Sequence, residues 1–319
     1  MVDRFRLQSG NLVADIGSND GTCLSFFKEQ GMKVVGVDPA KDIAARATKN
    51  GIDTVADFFG YDLAVDLREK YGSAKYITSH NACAHIDDLI DVVKGVEHWL
   101  ADEGVFVLEV GYLGDVYINT WFDTIYHEHV DYHTVKPFEK LFARVGMEVI
   151  AVDRISPQGG SIRVMVQKKG GVFERDSSVD NLIALEHELG LDRAETFHNF
   201  DNKISEVRKK LQGLIQSIKA DGKKIAGFGA PTKATTLMAH FGLDEKVLDF
   251  IVDDNPLKQG LFTPITHIPV LSSDALYEHR PDYVLILAWN FAEPIMKMHM
   301  KYNEEIGQFI LPMPEPGIV

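Results

Sequence analysis

The sequence predicts an α/β protein in which a helical connector joins two Rossmann-like domains, the second smaller than the first. In both halves of the chain, apolar strands alternate with amphipathic helices, which is the pattern of doubly wound sheets. A strand, a glycine turn and a helix follow one another twice, first at Gly17 and again at Gly229. Between the two halves lies a charged, proline-free stretch whose apolar residues recur at intervals of three and four.

The expected domain boundaries follow from the same pattern. Because 319 residues exceed one typical hydrophobic core, we expect two domains. Residues 1–173 are predicted to form the first, with seven strands of which the last is antiparallel, residues 174–221 the connector, and residues 222–319 the second domain. In the first domain, the segment that starts at Asp91 predicts a helix that stops at Gly104, and a short strand is expected to carry Asp57.

Composition excludes several classes of function. The formal net charge of −14 opposes a nucleic-acid partner, because phosphate binding needs a basic surface. No apolar run approaches the ~20 residues that span a bilayer, and the N-terminus has no apolar signal core. The two cysteines, Cys23 and Cys83, fit a reducing compartment and cannot build a four-cysteine zinc site. We therefore expect a cytoplasmic protein with no metal site and no membrane partner.

The stretch from Leu12 to Gly21, LVADIGSNDG, has the features of a ligand-binding turn. Gly17 and Gly21 allow the backbone to turn sharply and a flat ligand to approach closely. The helix that follows presents its free N–H groups at the same point. Asp38 lies at the end of the next strand, where an acid can accept both hydroxyls of a ribose.

The carboxylate of Asp15 indicates which of two kinds of ligand the turn would bind. Dinucleotide folds use G-x-G-x-x-G so that a pyrophosphate rests on the helix N-terminus, whereas this turn has the spacing D-x-G-x-x-x-G. A carboxylate before the turn would repel a pyrophosphate but suits the cationic amino group of a methionine tail. The pattern favours S-adenosylmethionine (SAM) over NAD, and an α/β turn with accidental glycines is the structural alternative. The predicted cofactor-binding residues are Asp15, Gly17, Ser18, Gly21, Asp38, Asp57 and Asn81.

The second glycine turn, GFGAPTKATTL, is less specific. A helix N-terminus with a nearby lysine is an anion site that suits phosphates, and Lys233 opens this helix. Asp253 and Asp254 close the next strand, so this half alone resembles a weak NAD fold, although packing of a turn explains G-x-G equally well. The residues predicted to bind substrate here are Gly229, Lys233, Asn255, Lys258, Gln259 and His267.

A polar aromatic segment, WFDTIYHEHVDYH, follows the fifth strand. One interpretation is a hydrogen-bonded loop, and a second is a metal site in which His127 and His129 share one face of an extended strand. The third is a proton-transfer site, because a histidine titrates near neutrality and a carboxylate can orient it. An extended segment would place Tyr126 and Glu128 on the other face, and a turn would change that grouping. His85, in the loop after the fourth strand, is expected at the same cavity.

These residues carry a resemblance to a known family. DIGSNDG, NACAHIDD, FDTIYHEHVDY, QGGSIRV, GFGAPTKATTL, VDDNPLKQG with THIPV, and DYVLILAWNF together resemble the SAM-dependent sugar C-methyltransferases that act on nucleotide-linked 4-keto deoxysugars. The resemblance implies a SAM-binding domain of the class I methyltransferase type and a smaller domain that helps to hold a nucleotide-diphosphate keto sugar. It places the family's proposed base at His129, with Tyr126 and Glu128 in the same motif, and the loop histidine at His85.

The chain departs from the family pattern in three places. Relatives begin with a small zinc-binding domain that helps to cover the substrate, so a separate lid domain or partner chain is an expected partner here. Lys233 is followed by Ala234 and Thr235 where the family often has Gly and Asn. Asp254 occupies a position that is often basic or small and polar, and its added negative charge opposes a diphosphate.

Two functions compete with a sugar C-methyltransferase at this stage. An NAD(P)-dependent oxidoreductase would use the second glycine turn, but it leaves the first half of the chain unexplained. A non-catalytic subunit that binds SAM or a nucleotide sugar would need a partner for its lid. An O- or N-methyltransferase is the nearest related activity, and the YHEH sequence alone does not separate it from C-methylation.

Overall fold

The computed structural model describes residues 1–319, and the chain divides into two compact units. The first unit comprises Met1–Gly114 and Glu128–Asp192, and the second comprises Asp115–His127 and Arg193–Val319. These bounds differ from the predicted ones, because residues 115–127 fold with the second unit and the predicted connector is divided between the two. The assignment of cofactor and sugar to separate domains stays a prediction.

Thirteen strands and twelve α-helices make up the two units. The strands are β1 Leu12–Ile16, β2 Lys33–Val37, β3 Thr54–Val55, β4 Ala74–His80, β5 Leu100–Gly111, β6 Met147–Ile155, β7 Ser161–Lys168, β8 Ile225–Phe228, β9 Ile251–Val252, β10 Val270–Leu271, β11 Tyr283–Ile286, β12 Gln308–Leu311 and β13 Gly317–Ile318. The helices are α1 Thr22–Glu29, α2 Lys41–Lys49, α3 Tyr61–Tyr71, α4 Leu89–Trp99, α5 Leu113–Asn119, α6 Val135–Ala143, α7 Ser177–Glu188, α8 Ala194–Ala220, α9 Ala234–Phe241, α10 Ala275–His279, α11 Ala292–Met298 and α12 Met300–Glu305.

The first unit contains a seven-stranded sheet in the order β3-β2-β1-β4-β5-β7-β6. Its first five strands in sequence are parallel neighbours, and β7 pairs antiparallel with both β5 and β6. The predicted seven-stranded, doubly wound sheet with an antiparallel last strand is therefore confirmed. Strand β1 is buried along its whole length, as expected of a central parallel strand.

Two local predictions in this sheet were wrong. Helix α4 ends at Trp99 rather than at Gly104, because Trp99 and Leu100 are both fully buried and Leu100 already pairs with Ala74 in the sheet. Strand β3 is only Thr54–Val55, so Asp57 lies in an exposed bend beyond its end. In both places a hydrophobic pattern indicated the element correctly but not its end.

The second unit contains a six-stranded sheet in the order β10-β9-β8-β11-β12-β13. All neighbouring strands are parallel except β12 and β13. Helix α8 buries the apolar residues that recur along it, which confirms the predicted packing helix. No helix in the chain combines the length and apolar character that a membrane span requires.

Candidate functional site

The turn after β1 is tightly packed against the loop after β4. Gly17 and Gly21 have φ values of 76° and 81°, a left-handed conformation that favours glycine. A Cβ atom on Gly17 would lie 2.6 Å from the Cβ of Ala82. The first turn and the loop that carries Asn81 and His85 are therefore neighbours in one unit.

Two buried polar atoms at this turn lack a hydrogen-bond partner. They are Oδ1 of Asp15 and Oγ of Ser18, and both residues are almost fully buried. Burial raises the pKa of Asp15 to about 7, although the charge on His80 opposes this shift. Buried polar groups in folded proteins normally have partners, so this pair fits the amino group of a bound ligand.

Asp38 lies where the pattern predicted it, directly after β2. Its Oδ2 accepts a hydrogen bond from the backbone N–H of Asn19 at 2.9 Å, and its Oδ1 accepts one from Ala40 at 2.9 Å. Each carboxylate oxygen has a second lone pair that can accept from a ribose hydroxyl. Together with Asp15, Ser18 and the glycine turn, Asp38 gives a donor and acceptor set that fits SAM.

The other two predicted cofactor residues have different surroundings. Asn81 has a positive φ of 54°, and its backbone N–H donates to the carbonyl of Glu109 at 2.7 Å. It directly precedes Ala82, which contacts the glycine turn. Asp57 is exposed, and its carboxylate accepts a hydrogen bond from the N–H of Phe58 at 2.8 Å.

A charged network beside Asp15 was not identified from the sequence. His80 lies 3.6 Å from Glu109, and Glu109 accepts hydrogen bonds from Nε and Nη2 of Arg163 at 2.9 and 2.8 Å. Contacts with Cys23 Sγ and with Glu109 raise the pKa of His80 to about 10, so the imidazole is charged at neutral pH. The feature of the sequence that could have indicated this network is the alternation of side chains along a strand, which places these three residues on one face of neighbouring strands.

Two histidines lie close together in the first unit. The ring centroids of His85 and His129 are 5.0 Å apart. The Nδ1 of His85 is 2.7 Å from the carbonyl oxygen of Glu128, and because a carbonyl only accepts, this nitrogen carries the proton. The backbone N–H of Val130 donates to the carbonyl of Ala84 at 2.9 Å, which joins the two segments.

The segment from Tyr126 to Glu128 is a bend and turn rather than an extended strand. The grouping of alternate residues on opposite faces, which was expected only of an extended segment, therefore does not apply. Tyr126 and His127 belong to the second unit and pack edge to face at 5.9 Å, whereas Glu128 and His129 belong to the first. The side chain of Glu128 is exposed, and it is the backbone carbonyl that contacts His85.

The second glycine turn has internal partners for its polar groups. Gly229 has a φ of 90°, and a Cβ atom there would lie 2.5 Å from that of Ala288. Asp253 accepts hydrogen bonds from the N–H of Ala230 at 2.7 Å and from that of Asn255 at 2.9 Å. The ammonium of Lys258 lies 3.2 Å from the same carboxylate. These contacts support the packing interpretation of this turn.

The remaining predicted substrate residues are dispersed. Lys233 is directed at Asp123, with Nζ 3.7 Å from its Oδ2. The side-chain amide of Gln259 donates to the carbonyl of Asp253 at 3.0 Å, and the Oδ1 of Asn255 accepts from the N–H of Leu257 at 3.0 Å. His267 is exposed. Of the predicted set, only Lys258 lines the cavity of about 330 Å³ beside α9.

The chain has no group of three or more His, Cys, Asp or Glu side chains arranged to hold a metal ion. His127 and His129, the residues of the metal interpretation, fall in different compact units. His133, in the same segment, is buried against Phe138, and burial lowers its pKa to about 4.

Comparison with known proteins identifies the family. Residues 2–152 match a methyltransferase domain, and residues 156–314 match a C-methyltransferase C-terminal domain. The chain is 36% identical over 318 residues to C-methyltransferase NovU from Streptomyces niveus, covering 100% of this chain and 76% of that protein. The chain belongs to the C-methyltransferase family. It is a SAM-dependent enzyme, which confirms the predicted family, activity class and cofactor.

Solved methyltransferase structures align with about half of this C-methyltransferase. A putative SAM-dependent methyltransferase from Listeria monocytogenes shares 16% identity, covers 53% of this chain and 97% of its own, and has a TM-score of 0.41. Magnesium protoporphyrin IX methyltransferase from Synechocystis PCC 6803 with bound SAH shares 14% identity, covers 53% and 78%, and has a TM-score of 0.41. The methyltransferase match over residues 2–152 includes the first glycine turn.

Proposed function

We propose that this enzyme transfers a methyl group to the carbon next to the ketone of a nucleotide-linked keto-deoxysugar, through an enolate. One observation carries the proposal, namely that packing contacts within the first unit connect the cofactor turn to a pair of histidines. Gly17 packs on Ala82, and the loop that follows places His85 5.0 Å from His129. C-methylation needs a carbanion, and a base close to the cofactor turn meets that need.

In the proposed mechanism, His129 removes the proton from the carbon next to the ketone. Tyr126 is the phenol that donates a hydrogen bond to the developing enolate oxygen, and such donors contribute strongly when they are held in place beforehand. The Nδ1 of His85 is held by the carbonyl of Glu128, which leaves its Nε2 as an acceptor and makes His85 the alternative base. When bound, SAM supplies the electrophilic methyl group that the carbanion accepts.

We also propose that the second unit holds the nucleotide. Its cavity of about 330 Å³ is lined by Thr232, Lys258 and Phe262, among other residues. A lysine and hydroxyl groups suit a phosphate, and an aromatic ring suits the nucleobase. Asn255, Gln259 and His267 lie outside this lining and stay as predictions from the motif alone.

A screen by mass spectrometry tests the reaction. Nucleotide-linked keto-deoxysugars are incubated with SAM, and a product that is heavier by one methylene unit identifies the substrate. A product methylated on oxygen, located by fragmentation, would contradict C-methylation of a sugar. If no methyl transfer occurs although nucleotide sugars bind, the non-catalytic subunit that needs a partner is the better interpretation.

The base is tested with His129→Ala. We expect turnover to fall by about 10²–10⁴-fold, because a general base contributes that much, while S-adenosylhomocysteine (SAH) binding measured by calorimetry is unchanged. Exchange of the acidic proton with deuterium from the solvent, measured without SAM, should fall in parallel. His127→Ala, at the neighbouring histidine, is the matched control with near-normal turnover. Wild-type turnover in His129→Ala, with loss in His85→Ala, would transfer the role of base to His85.

A further inference from the structure

A buried ion pair in the second unit has no role in the mechanism above. Asp123 is fully buried, and its Oδ2 lies 3.7 Å from Nζ of Lys233. The same oxygen accepts a hydrogen bond from the indole N–H of Trp289 at 2.6 Å. The ammonium of Lys233 also lies 4.0 Å from the centroid of the Trp289 ring, within the range of a cation–π contact. Each of the three side chains therefore contacts the other two.

This cluster anchors residues 115–127 to the rest of the second unit. The anchoring contacts are the Trp121–Trp289 ring stack at 4.7 Å, the Phe122–Phe241 edge contact at 5.6 Å and the hydrogen bond from Thr236 Oγ1 to the Ile125 carbonyl at 3.5 Å. Asp123 lies in the short 3₁₀ turn Phe122–Thr124, and Tyr126 follows two residues after the end of this turn. The backbone that leads into Tyr126 is thus held from both sides of the turn.

The electrostatics of the pair indicate a role in fixing geometry. Burial raises the pKa of Asp123 and lowers that of Lys233, and in each case the partner's charge opposes the shift. A buried ion pair adds little net stability compared with apolar residues, but loss of one partner leaves an uncompensated charge. Such a pair therefore specifies one arrangement of the chain more than it stabilises the fold.

The same contacts argue against phosphate binding by Lys233, the role that its position in the sequence suggested. The sequence places it at the start of α9, where an ammonium would meet a phosphate. In the structure its side chain is only 15% exposed and its charge is directed at Asp123. Lys258 is also paired with a carboxylate, that of Asp253 at 3.2 Å, but its side chain is 38% exposed and lines the cavity of the second unit. The two lysines thus have different environments within one unit.

We propose that the Lys233–Asp123 pair positions Tyr126 for methyl transfer and that Lys233 does not bind the diphosphate of the substrate. This inference rests on the function proposed above for Tyr126. Lys233, Asp123 and Trp289 are positioning residues, because they act through the segment that carries the tyrosine. Loss of a phosphate-binding lysine would lower both the affinity for the nucleotide and the rate of methyl transfer in the bound complex. Loss of a positioning lysine should lower the rate alone.

The first test follows the position of Tyr126 directly. 3-Fluorotyrosine is incorporated at position 126 alone, and its ¹⁹F resonance is recorded in the full-length protein. Lys233→Met should shift or broaden this resonance, because Asp123 is left with an unpaired buried charge. In the double variant Asp123→Asn/Lys233→Met no charge is unpaired, and the amide oxygen still accepts from Trp289, so the wild-type resonance should return. The same label at Tyr277 is the control and should not respond.

The second test separates binding from turnover. Calorimetry with thymidine diphosphate should give the same dissociation constant, within about twofold, for wild type, Lys233→Met and the double variant. Turnover with the substrate from the screen should fall by about 10- to 100-fold in Lys233→Met, since small misplacements of reacting groups have effects of that size, and should recover in the double variant. Lys258→Met is the matched control, with weaker thymidine diphosphate binding by about tenfold or more and an unchanged ¹⁹F resonance.

Two results would overturn the proposal. One is a loss of thymidine diphosphate affinity of about tenfold or more in the double variant, which would make Lys233 a phosphate ligand. The other is an unchanged ¹⁹F resonance in Lys233→Met. If Lys233→Met does not fold, the double variant alone carries the binding test. Failure of the proposed function is distinguished by Tyr126→Phe, because wild-type turnover in that variant would refute the role of the tyrosine without affecting the ¹⁹F result.

Discussion

The two units contain the same local motif, but they differ in whether the polar side chains at the turn have hydrogen-bond partners within the protein. In each, a buried parallel strand ends at a glycine with positive φ, a helix follows, and an aspartate closes the next strand. At the first turn, Oδ1 of Asp15 and Oγ of Ser18 have no partner within the protein. At the second, the corresponding positions are Gly227 and Ala230, which have no polar side chain, and Asp253 accepts hydrogen bonds from two backbone N–H groups, as Asp38 does in the first unit, and from Lys258.

This difference supports the proposal that the first turn binds a ligand and that the second is structural. Backbone geometry does not do so, because Gly17 and Gly229 have φ values of 76° and 90° and both pack against an alanine. Buried polar groups that the protein leaves unpaired are costly, so they persist where something else satisfies them. The family match then agrees with this assignment, because the methyltransferase domain covers the first turn.

The largest expected effect comes from adding a methyl group to each turn. Gly17→Ala and Gly229→Ala each force a side chain into positive φ and into contact within 2.6 Å or 2.5 Å of a neighbouring Cβ. Together, backbone strain and overpacking should lower the free energy of unfolding by about 2–5 kcal/mol in both variants. Only Gly17→Ala should also weaken SAH binding, by about tenfold or more.

Chemical denaturation and calorimetry on the same two samples measure these effects. The two alanine variants control for each other, because their strain is similar and only the expected ligand differs. A Gly229→Ala protein that folds but loses SAH affinity as strongly as Gly17→Ala would remove the distinction between the turns.

The second prediction concerns the two aspartates, whose pKa values shift in opposite directions. Burial raises the pKa of Asp15 from 3.8 to about 7. Burial also acts to raise the pKa of Asp253, but the N–H groups of Ala230 and Asn255 and the ammonium of Lys258 outweigh it and lower that pKa. The two side chains should therefore contribute to stability in different ranges of pH.

For Asp15, the contribution to stability is present below pH 3.8 and is lost as the pH rises through about 7, a change of about 4 kcal/mol in the ligand-free protein. For Asp253, the contribution is present above its unfolded pKa and is lost as the pH falls through its lower folded value. Asp15→Asn should remove the loss of stability as the pH rises towards 7, and Asp253→Asn should remove the loss of stability at low pH. Denaturation at a series of pH values measures both effects. A curve for Asp15→Asn that still falls between pH 4 and 7 by the wild-type amount would contradict this assignment.

The same pair of variants sharpens the ligand assignment. SAH affinity in the wild type should increase as the pH rises through about 7, because the amino group binds the ionised form of Asp15. Asp15→Asn should weaken SAH binding by about 10- to 100-fold and remove this pH dependence. Asp253→Asn should leave SAH binding unchanged. Equal losses in both variants would indicate a general loss of folding rather than a cofactor contact.

The sequence was sufficient to predict much of the fold but less of the site. Strand and helix identities follow from hydrophobic periodicity, and the spacing from Asp15 to Asp38 predicted where the acids of the first turn lie. The end of α4 at Trp99 was missed because the charged residues after it suit a helix, whereas full burial of Leu100 in the sheet decides the boundary. Tertiary burial of this kind is not encoded in a local pattern.

Long-range pairs account for most of what the sequence did not indicate. Asp123 and Lys233 are 110 positions apart, and no local rule brings a 3₁₀ turn to the start of α9. The lysine was predicted as a phosphate ligand because helix N-termini bind anions, but a buried carboxylate already compensates its charge. The His80–Glu109–Arg163 network also depends on strand register, which only the folded sheet fixes.

The smallest expected effect concerns the exposed acids Asp57 and Asp254, which follow β3 and β9. If Asp57 accepts from the adenine amino group, Asp57→Ala should weaken SAH binding by about threefold, since an exposed hydrogen bond contributes only about 0.5–1 kcal/mol. Asp254→Ala should not change SAH binding, and both substitutions should alter the free energy of unfolding by less than about 0.5 kcal/mol. Calorimetry with SAH and with 5′-methylthioadenosine checks the assignment, because both ligands carry the adenine and should respond equally to Asp57→Ala. A loss seen with SAH alone would move Asp57 from the adenine to the amino-acid end of the ligand, and no loss with either would make it a surface residue like Asp254.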